Sequence, residues 1–287
     1  MQFRAALKPD CPESSVIEAN IQFYRQIAAK YDRYETCASS ANLQQMLDRD
    51  VDHIGMVLGS RGGAIECLDC GGGTGNLTLK MLRKGWSVTV VDVSSDMLAI
   101  LREKAGREGF SPQLVNDSFS DFLPRCGRSY DVIAFSSVLH HLYAYLPGVA
   151  VAADHIEKGG VFYSAFDPAI SAHPRAAGFF EAFDTVLAKL AKDQRDFLPG
   201  IARRLKKAFH HSHDANQSQS AASAGDLAEY HAKTGIDDRA IVRLLLERGF
   251  TLVDYSRWAS GRTVPARFVN SRLHLTESFK VMAQRST

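Results

Sequence analysis

Alternating glycines after a short apolar run constrain the fold of this chain more than any other feature. The run at 65–70 has the pattern of a buried strand and leads into the segment DCGGGTG at 69–75, where Gly71, Gly73 and Gly75 occupy alternate positions. Glycine lets the backbone turn sharply and lets a ligand approach main-chain atoms closely. The segment therefore predicts a ligand-binding loop between the first strand and the first helix of an α/β sheet.

Strand and helix patterns alternate through the middle of the chain. Further strands are predicted at 87–93, 112–116, 130–137 and 161–166, with helices at 76–84 and from Ser94 to about residue 107. A helix at 237–248 and strands at 250–255 and 278–284 follow later. This alternation is typical of βαβ units, which build a parallel sheet covered by helices on both faces.

Helical additions flank the α/β core. Amphipathic patterns predict helices at 14–33, 42–58 and 177–192, a basic helix at 201–209 and a polar loop at 213–225. We therefore expect a single domain with four regions: a helical cap at 1–60, the core at 61–166, a helical lid inserted at 167–236, and a closing helix and strands at 237–287.

Composition excludes several classes of protein. Lys and Arg total 34 against 32 for Asp and Glu, a net charge of +2, which gives no clear nucleic-acid footprint. The apolar runs are too short to span a bilayer, and no secretory signal is visible at the start, so we expect a cytoplasmic protein. Cys67 and Cys70 lie in the first strand and are interpreted as buried thiols. No metal site is predicted, because the histidine cluster at 210–214 lacks ligand spacing.

Carboxylates follow the next two strands. Asp92 ends the second strand, where it can accept two hydrogen bonds from a ribose diol. Asp117 follows the third strand, where it can accept from an adenine amino group while Ser118 supplies a backbone N–H. The dinucleotide pattern G-x-G-x-x-G fails, because Asn76 stands three residues after Gly73, and this weakens a nicotinamide or flavin interpretation.

Motif order across roughly 31–255 resembles that of class I S-adenosylmethionine-dependent methyltransferases. The matching segments are Tyr31-Asp32, the loop at 69–75, Asp92-x-Ser94-x-x-Met97-Leu98, Asn116-Asp117, Tyr130-Asp131-Val132-Ile133, Leu139-His140-His141-Leu142 and Lys158-Gly159-Gly160. The resemblance implies a Rossmann-like α/β fold with a seven-stranded, mostly parallel sheet, a helical N-terminal cap and a lid inserted after the fifth strand. It also implies S-adenosyl-L-methionine as cofactor and S-adenosyl-L-homocysteine as product.

The resemblance also assigns roles to individual residues. The methionine end of the cofactor would be held by Asp69 and the three glycines, the ribose by Asp92 and the adenine by Asp117, with Met97 packed on the adenine ring and Tyr31 helping to close the pocket. The full expected set of cofactor contacts is Tyr31, Asp69, Gly71, Gly73, Gly75, Asp92, Val93, Met97, Asp117, Ser118 and Ser136.

Methyl transfer from a sulfonium is an in-line displacement. Its main catalytic contribution is the alignment of nucleophile, methyl group and sulfur in a site that excludes water. His140 and His141 follow the fourth strand, where the family places the reacting groups, and His140 is the first candidate base because imidazole titrates near neutrality. The alternative is that both histidines only pack at a helix start.

The absence of two known motifs limits the classes of methyl acceptor that the sequence allows. The sequence after the fourth strand has neither the Asn/Asp-Pro-Pro-Tyr-type loop of amino-directed DNA methyltransferases nor a cysteine for pyrimidine C5 methylation. We therefore expect a small organic acceptor, methylated on O, N or C, with no nucleic-acid or membrane partner, by a monomer or homodimer. A non-methylating S-adenosylmethionine-binding protein and an NAD(P)-dependent oxidoreductase are the alternatives.

Overall fold

The structure is a computed structural model that describes residues 12–59, 63–192, 227–228, 230–232, 234–261 and 263–287. Its centre is a seven-stranded sheet with the order β3-β2-β1-β4-β5-β7-β6. The strands are β1 (Glu66–Cys70), β2 (Ser87–Asp92), β3 (Gln113–Asn116), β4 (Tyr130–Ser136), β5 (Ile156–Pro168), β6 (Phe250–Ala259) and β7 (Glu277–Arg285). The first five strands are parallel, and β7 pairs antiparallel with β5 and β6. The fold class predicted from the sequence is confirmed.

Eleven α-helices lie in the described residues. They are α1 (Glu13–Ile27), α2 (Tyr31–Tyr34), α3 (Thr36–Ser39), α4 (Ala41–Leu58), α5 (Thr78–Arg83), α6 (Ser95–Arg107), α7 (Phe119–Cys126), α8 (Tyr145–Asp154), α9 (Pro174–Lys192), α10 (Asp238–Glu247) and α11 (Val264–Leu273). Short 3₁₀ turns occur at Ala28–Lys30 and Leu139–His141. Among these described helices none is long and apolar enough to cross a bilayer.

Alternation along the strands divides the core into two layers. In β4, Val132 and Ala134 pack with α4, α5 and α6 on one face of the sheet, while Ile133 and Phe135 pack with α7, α8 and α10 on the other. Successive side chains of a strand point to opposite faces, so strands covered on both sides must be apolar throughout. The thiols of Cys67 and Cys70 are buried, as their apolar context predicts, and the same alternation puts them on opposite faces of the sheet.

The N-terminal cap is fixed to the sheet by a buried polar cluster. Asp50 of α4 accepts a hydrogen bond of 2.8 Å from the Tyr163 hydroxyl and one of 2.6 Å from Lys280 Nζ. The Lys280 ammonium also lies 2.8 Å from Asp254, so this buried cation pairs with two carboxylates. A buried charge that is paired in this way holds α4 in one position over β5, β6 and β7.

Two elements differ from the sequence prediction. The single helix predicted at 14–33 is wrong, because α1 ends at Ile27 and a 3₁₀ turn separates it from α2. This break allows the Asp32 carboxylate to accept a 2.5 Å hydrogen bond from Thr74 in the glycine loop. Strand β5 begins at Ile156 rather than 161, because Gly159, at φ +72°, lies in an irregularity within the strand instead of a turn before it.

Several elements were not predicted from the sequence, and some predictions cannot be compared with the structure. Helices α3, α7, α8 and α11 were not predicted from the sequence. Strand β6 continues four residues beyond its predicted end at 255, to Ala259, because β7 pairs along its whole length. The helix predicted at 177–192 lies within α9. The predicted basic helix at 201–209, the polar loop at 213–225 and the histidine cluster at 210–214 all lie outside the described residues.

Candidate active site

The glycine loop leaves β1 and enters α5 through a tight, hydrogen-bonded turn. The Gly71 N–H donates to the Val91 carbonyl at 2.7 Å, and the Gly75 N–H donates to the Gly72 carbonyl at 2.8 Å. Gly75 has φ +89°, and a methyl group on it would lie 2.2 Å from Cδ1 of Leu101. Only glycine fits both the backbone conformation and the close contact. The absence of a side chain at Gly75 therefore allows the loop to pack closely against Leu101 of α6.

A cavity of about 290 Å³ opens where β1, β2 and β4 end. The predicted cofactor residues that line it are Tyr31, Asp69, Gly71, Gly73, Asp92, Val93, Met97, Asp117, Ser118 and Ser136. Gly75 is outside this lining and packs on Leu101 instead. Of the two predicted catalytic histidines, His141 lines the cavity and His140 does not. The structure thus brings ten of the eleven expected cofactor residues to one cavity.

Asp69 presents an unsatisfied acceptor in this cavity. Its side chain is buried, and Oδ2 accepts a 2.5 Å hydrogen bond from the Thr78 hydroxyl. Among the described residues, Oδ1 has no hydrogen-bond partner. Burial raises the pKa of the Asp69 carboxyl to about 7, although the Thr78 hydrogen bond acts to lower it, and nearby Asp92 adds a smaller increase. A buried acceptor without a partner is costly, so a donor group of a bound ligand would be stabilised at Oδ1.

Asp92 holds the glycine loop and the start of α6 together. Its Oδ2 accepts the Gly73 N–H at 2.8 Å, and its Oδ1 accepts the Ser94 N–H at 2.8 Å. Burial raises the pKa of the Asp92 carboxyl, while these two backbone donors act to lower it. Each carboxylate oxygen has a second lone pair, so both oxygens can still accept from a ligand diol. Asp92 therefore has a structural role in addition to the predicted one.

Asp117 already has protein partners on both oxygens. Its Oδ1 accepts the Ser118 N–H at 2.9 Å, and its Oδ2 pairs with Arg125 of α7. The Ser118 hydroxyl in turn caps α7 by accepting the Asp121 N–H at 3.1 Å. The backbone donor that the sequence analysis assigned to adenine is thus engaged by Asp117 in this structure.

His140 is held away from the cavity. Its Nδ1 lies 2.6 Å from Oδ1 of Asp167, and its backbone N–H donates to the same oxygen at 3.1 Å. Both residues are buried, and the His140 carbonyl accepts the His231 N–H at 2.7 Å. These contacts fix the 3₁₀ turn at Leu139–His141 against the end of β5.

His141 faces the cavity together with Tyr24, a residue that the sequence analysis did not single out. The Tyr24 hydroxyl lies 2.8 Å from Nε2 of His141, and Nδ1 of His141 lies 2.6 Å from the Ala228 carbonyl oxygen. Tyr24 belongs to the face of α1 that lines the cavity with Glu13, Val16, Ile17 and Asn20. The i, i+3, i+4, i+7 spacing of that face was the available sequence signal.

Comparison with known proteins agrees with this geometry. Residues 67–160 match a family described as "Methyltransferase domain". The chain is 26% identical over 187 residues to tRNA 5-carboxymethoxyuridine methyltransferase of Escherichia coli (strain K12), covering 63% of this chain and 69% of that protein. It is 30% identical over 100 residues to ubiquinone biosynthesis O-methyltransferase of Cronobacter sakazakii (strain ATCC BAA-894), covering 34% and 41%.

The fold is similar to that of magnesium protoporphyrin IX methyltransferase from Synechocystis PCC 6803, crystallised with bound S-adenosylmethionine. The TM-score is 0.54 at 15% identity, over 97% of this chain and 100% of that one. This likeness shows the fold of class I S-adenosylmethionine-dependent methyltransferases, and the match of residues 67–160 to a methyltransferase domain agrees with the resemblance in the sequence.

Proposed function

We propose that this protein transfers a methyl group from S-adenosylmethionine to an O, N or C atom of a small organic acceptor bound in the cavity. One observation carries the proposal: a single cavity joins the glycine loop and the unpartnered Asp69 Oδ1 to the Tyr24–His141 pair. The cofactor residues and the candidate proton acceptor therefore line the same cavity.

The cavity residues fit a cationic amino-acid cofactor. Oδ1 of Asp69 can accept from an ammonium group, which would satisfy the buried oxygen. Asp92 can accept from a ribose diol without giving up the backbone hydrogen bonds that hold the loop. When bound, the cofactor supplies a methyl group on a positively charged sulfur, and nearby carboxylates favour such a charge.

We further propose contacts for the adenine ring and the methionine end of the cofactor. Asp117 would bind the adenine amino group through a second lone pair, and Met97, which is buried beside Gly73, would pack on the ring. The loop glycines would contact the methionine end, with Val93, Ser118 and Ser136 forming walls. Tyr31 would help to cover the cofactor, since it stands at the start of α2 on the edge of the cavity.

The cap and the insertion would exclude water from the acceptor. The cap at 1–60 contributes one face of α1 to the cavity wall, and the insertion at 167–236 contributes the Ala228 carbonyl behind His141. Excluding water favours displacement at the methyl carbon over side reactions. His141 lies closer to this space than His140, and it is our candidate for the base that an O–H or N–H acceptor needs.

Charge favours a small acceptor over RNA. Within the described part of the chain, four carboxylates and no lysine or arginine line the cavity: Glu13, Asp69, Asp92 and Asp117. Binding of a polyanion depends on lysine and arginine contacts to phosphates, which this lining does not offer. RNA remains the second candidate, because the Escherichia coli relative is a tRNA methyltransferase by name.

A labelling experiment tests the proposal. The protein is incubated with methyl-tritiated S-adenosylmethionine and a cell extract that has been separated into small-molecule, RNA and protein fractions. We expect label in the small-molecule fraction, and no label when Asp92→Ala replaces the wild type. Label in RNA alone would favour the second candidate. Binding of S-adenosylhomocysteine without label in any fraction would indicate a non-methylating binder and overturn the proposal.

A further inference from the structure

We propose that Tyr24 is a catalytic residue of this site: its hydroxyl receives the acceptor's proton and passes its own proton to His141. The inference rests on the proposed function and adds a residue from the N-terminal cap to the chemistry. Tyr24 and His141 are 117 positions apart in the chain, and both line the cavity.

The partners of His141 determine its tautomer. A carbonyl oxygen can only accept, so the 2.6 Å contact with Ala228 requires a proton on Nδ1. In the neutral ring Nε2 then carries a lone pair, and the Tyr24 hydroxyl 2.8 Å away must donate to it. The pair is therefore arranged in the direction that moves a proton from the tyrosine to the histidine.

Ring packing holds this arrangement in place. The Tyr24 ring meets the His141 ring edge-on, with centroids 5.5 Å apart and an interplanar angle of 80°. Tyr31 also packs edge-on against Tyr24, with ring centroids 5.9 Å apart and an interplanar angle of 65°. The centroid of the His140 ring lies 3.9 Å from that of His141, and the His140 ring is itself held by the contact of its Nδ1 with Asp167. The pair thus needs little reorganisation before it acts.

The proton transfer balances without an additional reactant. The proton of an acceptor O–H or N–H moves to the Tyr24 oxygen, and the original Tyr24 proton moves to Nε2 of His141. The acceptor keeps the electron pair that would form its bond to the methyl carbon, while the bond from that carbon to sulfur would break and leave its pair on sulfur. Tyr24 is again a neutral phenol, and His141 becomes an imidazolium. The Ala228 carbonyl accepts from Nδ1 of that cation. A free phenol loses its proton only near pH 10, so the histidine is what allows the step at neutral pH.

The first test does not depend on activity. In ¹⁵N NMR spectra of the full chain, with the His141 signals assigned by their loss in His141→Asn, we expect a neutral ring protonated on Nδ1. Tyr24→Phe should shift the Nε2 resonance, because the ring loses its donor. Tyr130→Phe is the matched control, since Tyr130 lies at the start of β4 and does not line the cavity. A ring protonated on Nε2 would overturn the proposal.

The second test uses the acceptor fraction found by the labelling experiment. Tyr24→Phe should lower kcat by ~10²–10⁴-fold, the usual contribution of general acid–base catalysis, with KM and S-adenosylhomocysteine affinity little changed. His141→Asn should lower kcat similarly, and Tyr130→Phe should match the wild type. Wild-type turnover in Tyr24→Phe would overturn the inference while leaving the proposed function intact. Absence of any methyl transfer by the wild type would instead overturn the proposed function.

Discussion

Asp167 accepts two hydrogen bonds on the same oxygen from His140, one from the backbone N–H at 3.1 Å and one from Nδ1 at 2.6 Å. The two residues are buried, and the contact joins the end of β5 to the 3₁₀ turn that carries His141. His140 therefore stabilises the turn through Asp167, while His141 lines the cavity.

His140→Ala should lower stability because it removes the ring that faces the buried Asp167 carboxylate. Loss of such a partner costs about 1–3 kcal/mol, and urea unfolding would measure the decrease in the free energy of unfolding. His140→Asn should lose less, because its amide can still donate to the carboxylate. Unchanged stability combined with abolished methyl transfer would show instead that His140 acts in the chemistry.

Asp92→Ala should weaken cofactor binding through two effects. It removes the acceptor proposed for the ribose diol, and it leaves the N–H groups of Gly73 and Ser94 without their acceptor. Each lost hydrogen bond to a charged group is worth about 1.5–3 kcal/mol, which calorimetry with S-adenosylhomocysteine would detect. Asp96→Ala is the control, since Asp96 is half-exposed and, among the described residues, forms a 3.5 Å ion pair with Arg25. Equal affinities in both variants would contradict the assignment of Asp92.

Cofactor affinity should fall as the pH drops below about 7, because the pKa of Asp69 is raised to about 7 in the unliganded protein. An ammonium donor needs the carboxylate form, so binding below that pH must release a proton, with at most a tenfold change in affinity per pH unit. Calorimetry in buffers with different ionisation enthalpies would detect this proton. Asp69→Asn should bind weakly with a flat pH profile, and an unchanged slope in that variant would place the titrating group elsewhere.

The same carboxyl group should affect stability without ligand. Its pKa when folded, about 7, exceeds the usual value of about 3.9 for an unfolded chain, so the folded state binds more protons between these limits. The contribution of Asp69 to the free energy of unfolding should therefore fall as the pH rises from 4 to 7. In urea unfolding across that range, the difference between the wild type and Asp69→Asn should decrease as the pH rises, and a difference that increases would contradict the raised pKa of Asp69.

Gly75→Ala should destabilise the protein, because the new methyl group would meet Leu101 at 2.2 Å with the backbone at φ +89°. Strain and overpacking of this kind cost about 1–3 kcal/mol each. Gly106→Ala is the matched control: Gly106 lies inside α6 with nothing within 4 Å of a new methyl group, so the change should stabilise slightly. Similar urea midpoints for the two variants would contradict the packing role of Gly75.

Local pattern was sufficient to predict the sheet and its cofactor edge. Strands β1, β2 and β3 run parallel, so the residues at and just after their carboxyl ends meet at one edge of the sheet. That is why Asp69, Asp92 and Asp117 could be grouped before any contact was known.

Long-range contacts account for what the sequence did not predict. Nothing near Tyr24 in the chain indicates His141 or the Ala228 carbonyl, since only the packing of α1 and the insertion around the 3₁₀ turn brings the three together. The preference for His140 as base rested on its position after β4. That position could not reveal Asp167, which holds the ring away from the cavity.

Calorimetric titration of the full chain tests the central claim most directly, with S-adenosylhomocysteine and NADH added in separate experiments. We expect one S-adenosylhomocysteine to bind per chain and to be displaced by S-adenosylmethionine. Asp92→Ala and Asp69→Asn should weaken this binding, and NADH should not bind. Saturable NADH binding that is lost in Asp92→Ala, without binding of S-adenosylhomocysteine, would contradict that claim.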